Sequence, residues 1–191
     1  MHYLDRDFDE LIQAIKNKKR VNYTGIDPVF YLIYPPEHII TVKKKLFQWQ
    51  AKLANEGFAP VVFSIADCIL EIVKNYPMFD VCLESEKENP FDFEAINQSI
   101  KDILLEDKIL NQRILEKLAT LSGNQILLLT DLEALHPYLH ISGIEADLIG
   151  KILSPLVIFY PGTRMGQSSL RFLGIHPQKG NYRSTHIGGL Q

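Results

Sequence analysis

The chain has 191 residues, of which 46% are hydrophobic and 23% charged, and its formal net charge is −3 at pH 7. These proportions are typical of a globular protein and exclude collagen-like, disordered and disulfide-stapled chains. A chain of this length that folds as one body buries about 70% of its unfolded surface. We therefore predict a single domain over residues 1–191.

Cellular location is suggested by what the sequence contains near its N-terminus and around its cysteines. No run of 18 or more apolar residues occurs, and the acidic, amphipathic N-terminus is unlike a signal peptide. Cys68 and Cys82 lie in apolar segments, which predicts buried free thiols in a reducing compartment. We expect a cytoplasmic protein without membrane contact.

Charge is distributed unevenly along the chain. Residues 1–147 contain all 23 acidic and 15 of the 20 basic residues, for a net charge of −8. Residues 148–191 contain five basic residues and no acidic one, for a net charge of +5. Such a tail can steer an acidic partner, or it can face the acidic middle of the same molecule, and both alternatives stay open. The acidic middle comprises Glu84, Glu86, Glu88, Asp92 and Glu94.

Helical and strand patterns alternate along the chain. Helices are predicted near residues 4–19, 38–55, 66–75 and 143–153, and strands near 28–34, 60–65, 125–130 and 155–160. The segment between the second and third strands begins with a polar stretch, 84–92, that we predict as a possible mobile insertion, and then becomes helical. Lys43, Lys44 and Lys45 fall on the second helix, where three lysines are usually a solvated face.

The predicted strands are apolar throughout, which is typical of strands covered on both faces. The fold class is therefore α/β, with a three-layer, doubly wound and mostly parallel sheet. The topology is expected to be P-loop-NTPase-like, or RecA-like, but without a phosphate loop. Two shorter and more polar runs, Ser169–Gly174 and Tyr182–Ile187, predict a C-terminal edge hairpin.

The end of the third strand carries two acidic residues, Asp131 and Glu133. A strand that ends in an acid resembles the magnesium-binding strand of nucleotide hydrolases, although such an aspartate is also a common cap or turn former. A phosphate loop needs G-x-x-x-x-G-K-[ST], and the one Gly-Lys pair, Gly150-Lys151, is followed by Ile152 on a predicted helix. The sequence thus predicts no phosphate loop.

Other catalytic arrangements are also missing from the sequence. No serine has the G-x-S-x-G context of a hydrolase elbow. His136 and His140 are four residues apart and could share a helix face with Glu133 as metal ligands, but Pro137 follows the first histidine. We predict that the protein is not an enzyme and uses no metal and no cofactor.

The loop after the fourth strand contains glycines, hydroxyls and an arginine, a composition that can accept an anion or a partner. A plain polar crossover loop is the alternative. If the loop does bind a ligand, Arg164 and Arg171 could engage its carboxylate or phosphate group. Arg171 and Arg183 could equally pair with acids of the main body. The candidate positions are Tyr160, Gly162, Arg164, Gly166, Gln167, Arg171, Tyr182 and Arg183.

The C-terminal third resembles the BrxB family of the bacteriophage exclusion (BREX) defence systems. The resemblance lies in Pro155–Gly162, Gly166-Gln167, Leu170–Gly174 and Asn181–Arg183, and in Ile126–Thr130 followed by Pro137. It is specific over 124–187 and only topological over the first 120 residues. Thr163-Arg164-Met165 departs from the family pattern, as does the single tyrosine at Tyr182.

The resemblance implies a small cytoplasmic accessory subunit with no established catalytic activity. It also implies an interaction with PglZ, the alkaline-phosphatase-superfamily protein of the same system, and with other BREX subunits, so that nucleic acid is contacted only through the complex. Two alternatives remain: a nucleotide- or metal-binding regulatory protein that uses Asp131 and Glu133, and a nucleic-acid-binding subunit that uses the cationic tail.

Overall fold

A computed structural model of the chain describes residues 2–20, 27–148, 150–166, 169–177, 179–180 and 184–189. The helices are α1 (His2–Arg20), α2 (Ile39–Asn55), α3 (Ile65–Lys74), α4 (Phe79–Glu88), α5 (Phe93–Leu105), α6 (Ile109–Ala119) and α7 (Ile141–Leu148). The strands are β1 (Val29–Tyr34), β2 (Ala59–Ser64), β3 (Gln125–Thr130), β4 (Leu156–Met165), β5 (Ser169–Phe172), β6 (Lys179–Gly180) and β7 (Thr185–Gly188).

Five of the strands form a parallel sheet in the order β2-β3-β4-β1-β7. All four neighbouring pairs in this order are parallel. Numbered along the chain and read from the β7 edge, the strands run 5-1-4-3-2, the order of a RecA-like sheet. The predicted α/β class and mostly parallel sheet are confirmed.

Alternate residues of each central strand enter two separate cores, one on each face of the sheet. Phe30, Leu32 and Phe159 pack with the apolar stripes of α1 and α2 on one face. Tyr31, Leu127 and Ile158 pack with residues of α3, α5, α6 and α7 on the other. This two-sided burial explains why the strands carry no polar alternation.

The C-terminal tail is divided between two pairings. β5 returns antiparallel to the end of β4, and β6 pairs antiparallel with β5, so a hairpin forms here, but not from the two runs predicted to pair. The second predicted run does not join that hairpin, because Thr185–Gly188 pairs in parallel with β1 as the edge strand β7. Parallel pairing with β1 brings the end of β7 to the carboxyl edge of the sheet.

Helix α7 is shorter than the predicted helix over 143–153. It ends at Leu148, and Gly150 has a φ of +76°, a left-handed conformation that breaks the helix. The Gly150 N–H donates to Asp27 Oδ2 at 2.7 Å, which anchors the turn to the segment before β1. The prediction that Gly150, Lys151 and Ile152 lie on a helix is therefore wrong.

The polar stretch 84–92 has regular structure over its first half. Glu84–Glu88 completes α4, and the remaining residues form the turn into α5. Cys68 and Cys82 are both free and half-buried rather than fully buried. Within the described ranges, no helix combines the length and apolar character needed to cross a bilayer.

Candidate functional site

The carboxyl ends of β1, β3, β4 and β7 meet at one edge of the sheet, where open α/β sheets bind ligands. A phosphate loop would occupy the turn between a strand and the following helix. The turn between β1 and α2 begins with Pro35 and Pro36, which have no N–H to donate, and continues with the anionic Glu37. The first two positions of this turn therefore offer no backbone N–H to a phosphate, and the third repels it.

Asp131 and Glu133, at the end of β3, share a lysine from the neighbouring helix α2. The Lys43 Nζ atom lies 2.7 Å from Asp131 Oδ1 and 2.6 Å from Glu133 Oε1. The ammonium group therefore stands between the two carboxylates and neutralises much of their negative charge. Its position is one that a divalent cation would otherwise take between such carboxylates.

Hydrogen bonds hold the Asp131 side chain in its charged form. Burial raises the pKa of Asp131, but hydrogen bonds from Lys43, Ser64 and Thr130 outweigh burial, so the net pKa lies below its ordinary value. The Thr130 hydroxyl donates to Asp131 Oδ2 at 3.0 Å. This carboxylate is thus ionised at neutral pH and fully engaged by its neighbours.

Beside the ion cluster, Tyr34 at the end of β1 is buried. Burial, together with the negative charges of Glu133 and Asp131, raises the pKa of Tyr34 far above its ordinary value. Its hydroxyl therefore stays protonated and can act only as a neutral hydrogen-bonding group.

A second feature of this edge is an open cavity of about 470 Å³ at the ends of β1, β4 and β7. Its walls carry both signs of charge, with Arg6 and Arg164 facing Asp7, Glu10 and Glu37. Asp7 is buried, and Arg6 Nη2 lies 3.3 Å from its Oδ1. The mixed charges do not favour an anionic ligand over a cationic one.

Arg164 is directed toward backbone oxygens of its own tail. Its Nε donates to the Gly166 carbonyl at 3.1 Å, and its backbone N–H donates to the Gly189 carbonyl at 3.2 Å. Arg171 stands opposite Thr163 on the paired strand, whereas Arg164 stands opposite Leu170. Since neighbouring positions along a strand point to opposite faces, the two arginines do not converge on one ligand.

The remaining candidate positions have separate surroundings. Tyr160 is 1% exposed and packs in the core against Tyr31 and Phe172. A Cβ on Gly162 would approach the Arg171 carbonyl oxygen to 2.3 Å, so glycine is required where β4 and β5 pair. Gly166 forms the hairpin turn with a φ of +68°. Three candidates, Gln167, Tyr182 and Arg183, lie outside the described residues.

The histidines considered as metal ligands do not share a helix face with Glu133. Glu133 belongs to the short 3-10 turn Leu132–Leu135, which ends before Pro137. His136 Nδ1 instead lies 3.0 Å from His176 Nε2, and the His140 ring lies nearby, 5.7 Å from His176 between centroids. Across the described ranges, no three side chains are arranged to hold a metal ion.

Two features of the structure are not predicted by the sequence analysis. The first is the partnership of Lys43 with Asp131 and Glu133, since only the tertiary fold brings the start of α2 to the end of β3. The second is an apolar groove between α4 and α5. Near it in the sequence are Phe91 and Phe93, two aromatic residues within a strongly acidic stretch, although neither lines the groove.

The ion pairs of the structure bear on whether the cationic tail faces the acidic middle of the chain. The described ion pairs connect α1 with α2, α2 with the end of β3, α6 with α3, and Lys108, just before α6, with α7. None of those between described residues joins a tail cation to Glu84, Glu86, Glu88, Asp92 or Glu94. Over this part of the chain, the acidic middle is not neutralised by the tail.

Fold and site together define a RecA-like α/β protein whose strand-end carboxylates are ion-paired within the chain. A family model described as BREX protein BrxB matches residues 61–187. The chain therefore belongs to the BrxB family and is a component of a BREX phage-defence system. The match begins well before residue 124, so the specific likeness extends over α3 to α6 as well. No curated protein and no solved structure matches the chain significantly.

Proposed function

We propose that the protein is a non-catalytic accessory subunit that acts in the cytoplasm as a scaffold within a BREX complex. It works by protein–protein interaction, and its partner is PglZ of the same system. Membership of the BrxB family supports the assignment to a multi-subunit defence system. The scaffold role and the choice of PglZ are the proposal.

The observation that carries the non-catalytic assignment is the Lys43 ion cluster. In a nucleotide hydrolase, the acid at the end of such a strand must be available to a metal ion or water. Here Asp131 and Glu133 are both held by Lys43 at hydrogen-bonding distance. In the neighbouring turn, Pro35 and Pro36 contribute no backbone N–H to a phosphate, and Glu37 adds a negative charge. We therefore expect the protein to act through contacts that other proteins make with its surface.

Size-exclusion chromatography with PglZ from the same operon tests the proposal. The two purified proteins are mixed at micromolar concentration, and light scattering gives the mass of each peak. A stable complex elutes as one earlier peak with the summed mass. Separate elution of the two proteins at these concentrations would count against PglZ as the partner.

A second candidate function is nucleotide or metal binding at Asp131 and Glu133. It is favoured by Glu133 Oε2, a buried oxygen without a hydrogen-bond partner among the described residues. Calorimetry with ATP, GTP and Mg²⁺ distinguishes the two functions. A dissociation constant below about 100 μM, which is roughly −5.5 kcal/mol, would favour this candidate.

A third candidate is nucleic-acid binding by the cationic tail, in which Lys151 and Arg171 are exposed. Phosphate contacts of this kind make affinity fall steeply with salt. Duplex DNA titrated into the purified protein at low and at moderate salt checks it. Absent or salt-insensitive binding would remove this candidate.

A further inference from the structure

Helices α4 and α5 enclose an apolar groove whose lining shares no residue with the strand-end ion cluster. The groove has a volume of about 370 Å³, within the range of pockets that accept ligand groups. Its apolar lining includes Val81, Cys82, Leu83, Ile96, Ile100 and Ile103. We call residues 79–105, which contain both helices, the acidic lobe.

The acidic lobe carries exposed apolar side chains both in the groove and elsewhere on its helices and turn. Helix α4 has no buried residue along its whole length, and Val81 is about half exposed. Phe91, in the turn between the helices, is 86% exposed, and Phe93, the first residue of α5, is 66% exposed. Several large apolar side chains that are exposed next to one another are typical of an interaction site.

Charge indicates what kind of partner fits this surface. The acidic lobe contains seven acidic and two basic residues, for a net charge of −5. Between described residues, no ion pair involves any of these acidic side chains. An apolar groove with an uncompensated acidic rim complements an apolar stripe that is flanked by lysines or arginines.

We propose that the acidic lobe docks a basic amphipathic helix of a partner protein. The apolar stripe of that helix lies in the groove between α4 and α5, and its cations face the acidic rim, as in other helix-in-groove complexes. A second copy of this chain is a poorer occupant. Its cationic segment begins after α7, so the contact would be head-to-tail and would propagate into open assemblies.

This inference goes beyond the proposed function because it does not depend on which BREX subunit is bound. The probe is a synthetic 14-residue peptide with a leucine stripe and lysines on the other face, labelled for fluorescence anisotropy. Two control peptides have the same composition without the stripe, or glutamate in place of lysine. Micromolar binding of the first peptide is expected, with the scrambled control at least about tenfold weaker and the acidic control not bound.

Two matched variants of the full chain locate the binding surface. Val81→Asp places a charge in the groove at an exposed position, so the fold is retained while peptide affinity falls by about tenfold or more. Leu153→Asp makes the same kind of change at an exposed leucine outside the lobe, and affinity is expected to stay within about twofold.

Three results would overturn the inference. The first is no binding of the basic amphipathic peptide at low salt. The second is an equal effect of Val81→Asp and Leu153→Asp, which would place the peptide elsewhere. The third is a sedimentation experiment in which the chain alone self-associates and Val81→Asp abolishes this, because the groove would then hold a second copy. Failure to bind PglZ with intact peptide binding would count against the proposed function alone.

Discussion

Lys43 determines the charge balance of the strand-end site. Its side chain is 47% exposed, whereas those of Asp131 and Glu133 are 19% and 23% exposed. The lysine thus reaches from solvent to two largely buried carboxylates. Without it, two like charges would face each other in a poorly solvated place.

Replacing Lys43 by Met is expected to lower the free energy of unfolding by about 1–2 kcal/mol, since it leaves both carboxylates without their cation. Urea denaturation at pH 7 measures this. Lys44→Met changes the exposed neighbour and should stay within about 0.5 kcal/mol of the wild type. Equal stability of the two variants would show that the Lys43 cluster contributes nothing.

Asp131 links stability to pH. Its pKa is lower in the folded than in the unfolded protein, so its contribution is fully present above the unfolded pKa of about 3.9. That contribution is lost as the pH falls through the folded pKa. Asp131→Asn should therefore lose less stability than the wild type between pH 5 and pH 3. Parallel pH profiles of the two proteins in urea would contradict this.

Cys68 is expected to react slowly. Burial, with a smaller effect from the charge of Glu71, raises the pKa of its thiol to about 11. In a Cys82→Ser background, alkylation of Cys68 at pH 7.5 should be at least about tenfold slower than that of an unperturbed thiol. The rate should still rise above pH 9. A plateau near pH 9 would mean that the thiol is not perturbed.

At the scale of elements, strand β7 depends on close backbone approach to β1. Gly188 has a φ of +75°, and a Cβ there would lie 2.6 Å from the Ile33 carbonyl oxygen. A side chain at this position conflicts with both the backbone conformation and the contact. Glycine is therefore what lets the tail join the sheet edge.

Gly188→Ala is expected to destabilise the protein by about 2 kcal/mol and to speed amide hydrogen exchange in β7. Gly143→Ala is the control, because Gly143 lies in α7 with open space around its Cα. In a helix this change should stabilise by about 0.5–1 kcal/mol. Destabilisation by both variants to the same extent would contradict the role of β7 docking.

Elements were predictable where a local pattern decides them. The stripe of Leu4, Phe8 and Leu11 marks α1, and the unbroken apolar run Ile126–Leu129 marks β3, because each reports burial directly. The end of α7 was not predictable, since it depends on the bond from Gly150 to the distant Asp27. The pairing of β7 with β1 depends likewise on a contact between the two ends of the chain.

The candidate site was predictable only in its position. A parallel sheet places its ligand edge at the carboxyl ends of the strands, which identifies Asp131 and Glu133 from the sequence. Their neutralisation by Lys43 follows from how α2 crosses the sheet, and no local pattern contains it. The side of the β4–β5 hairpin on which each arginine lies depends on the register of the two strands. The sequence of the tail does not determine that register.

At the scale of the whole molecule, we expect two separate surfaces with different roles, one in stability and one in binding. At the strand-end edge, the carboxylates after β3 are ion-paired with Lys43 and stabilise the fold, while the acidic lobe has an apolar groove and a negative net charge. Changes at the first surface should affect stability, and changes at the second should affect binding. The two classes of effect are expected to be independent, because no residue of the Lys43 cluster lines the groove.

The most direct test is phage protection by a variant whose strand-end charges are removed together, Lys43→Met with Asp131→Asn and Glu133→Gln. Removing all three leaves no uncompensated charge, so the protein should remain folded. We expect plating efficiency of phage on cells with the complete BREX system to equal that of the wild type. Loss of protection by a variant that is folded and still binds PglZ would contradict a non-catalytic role.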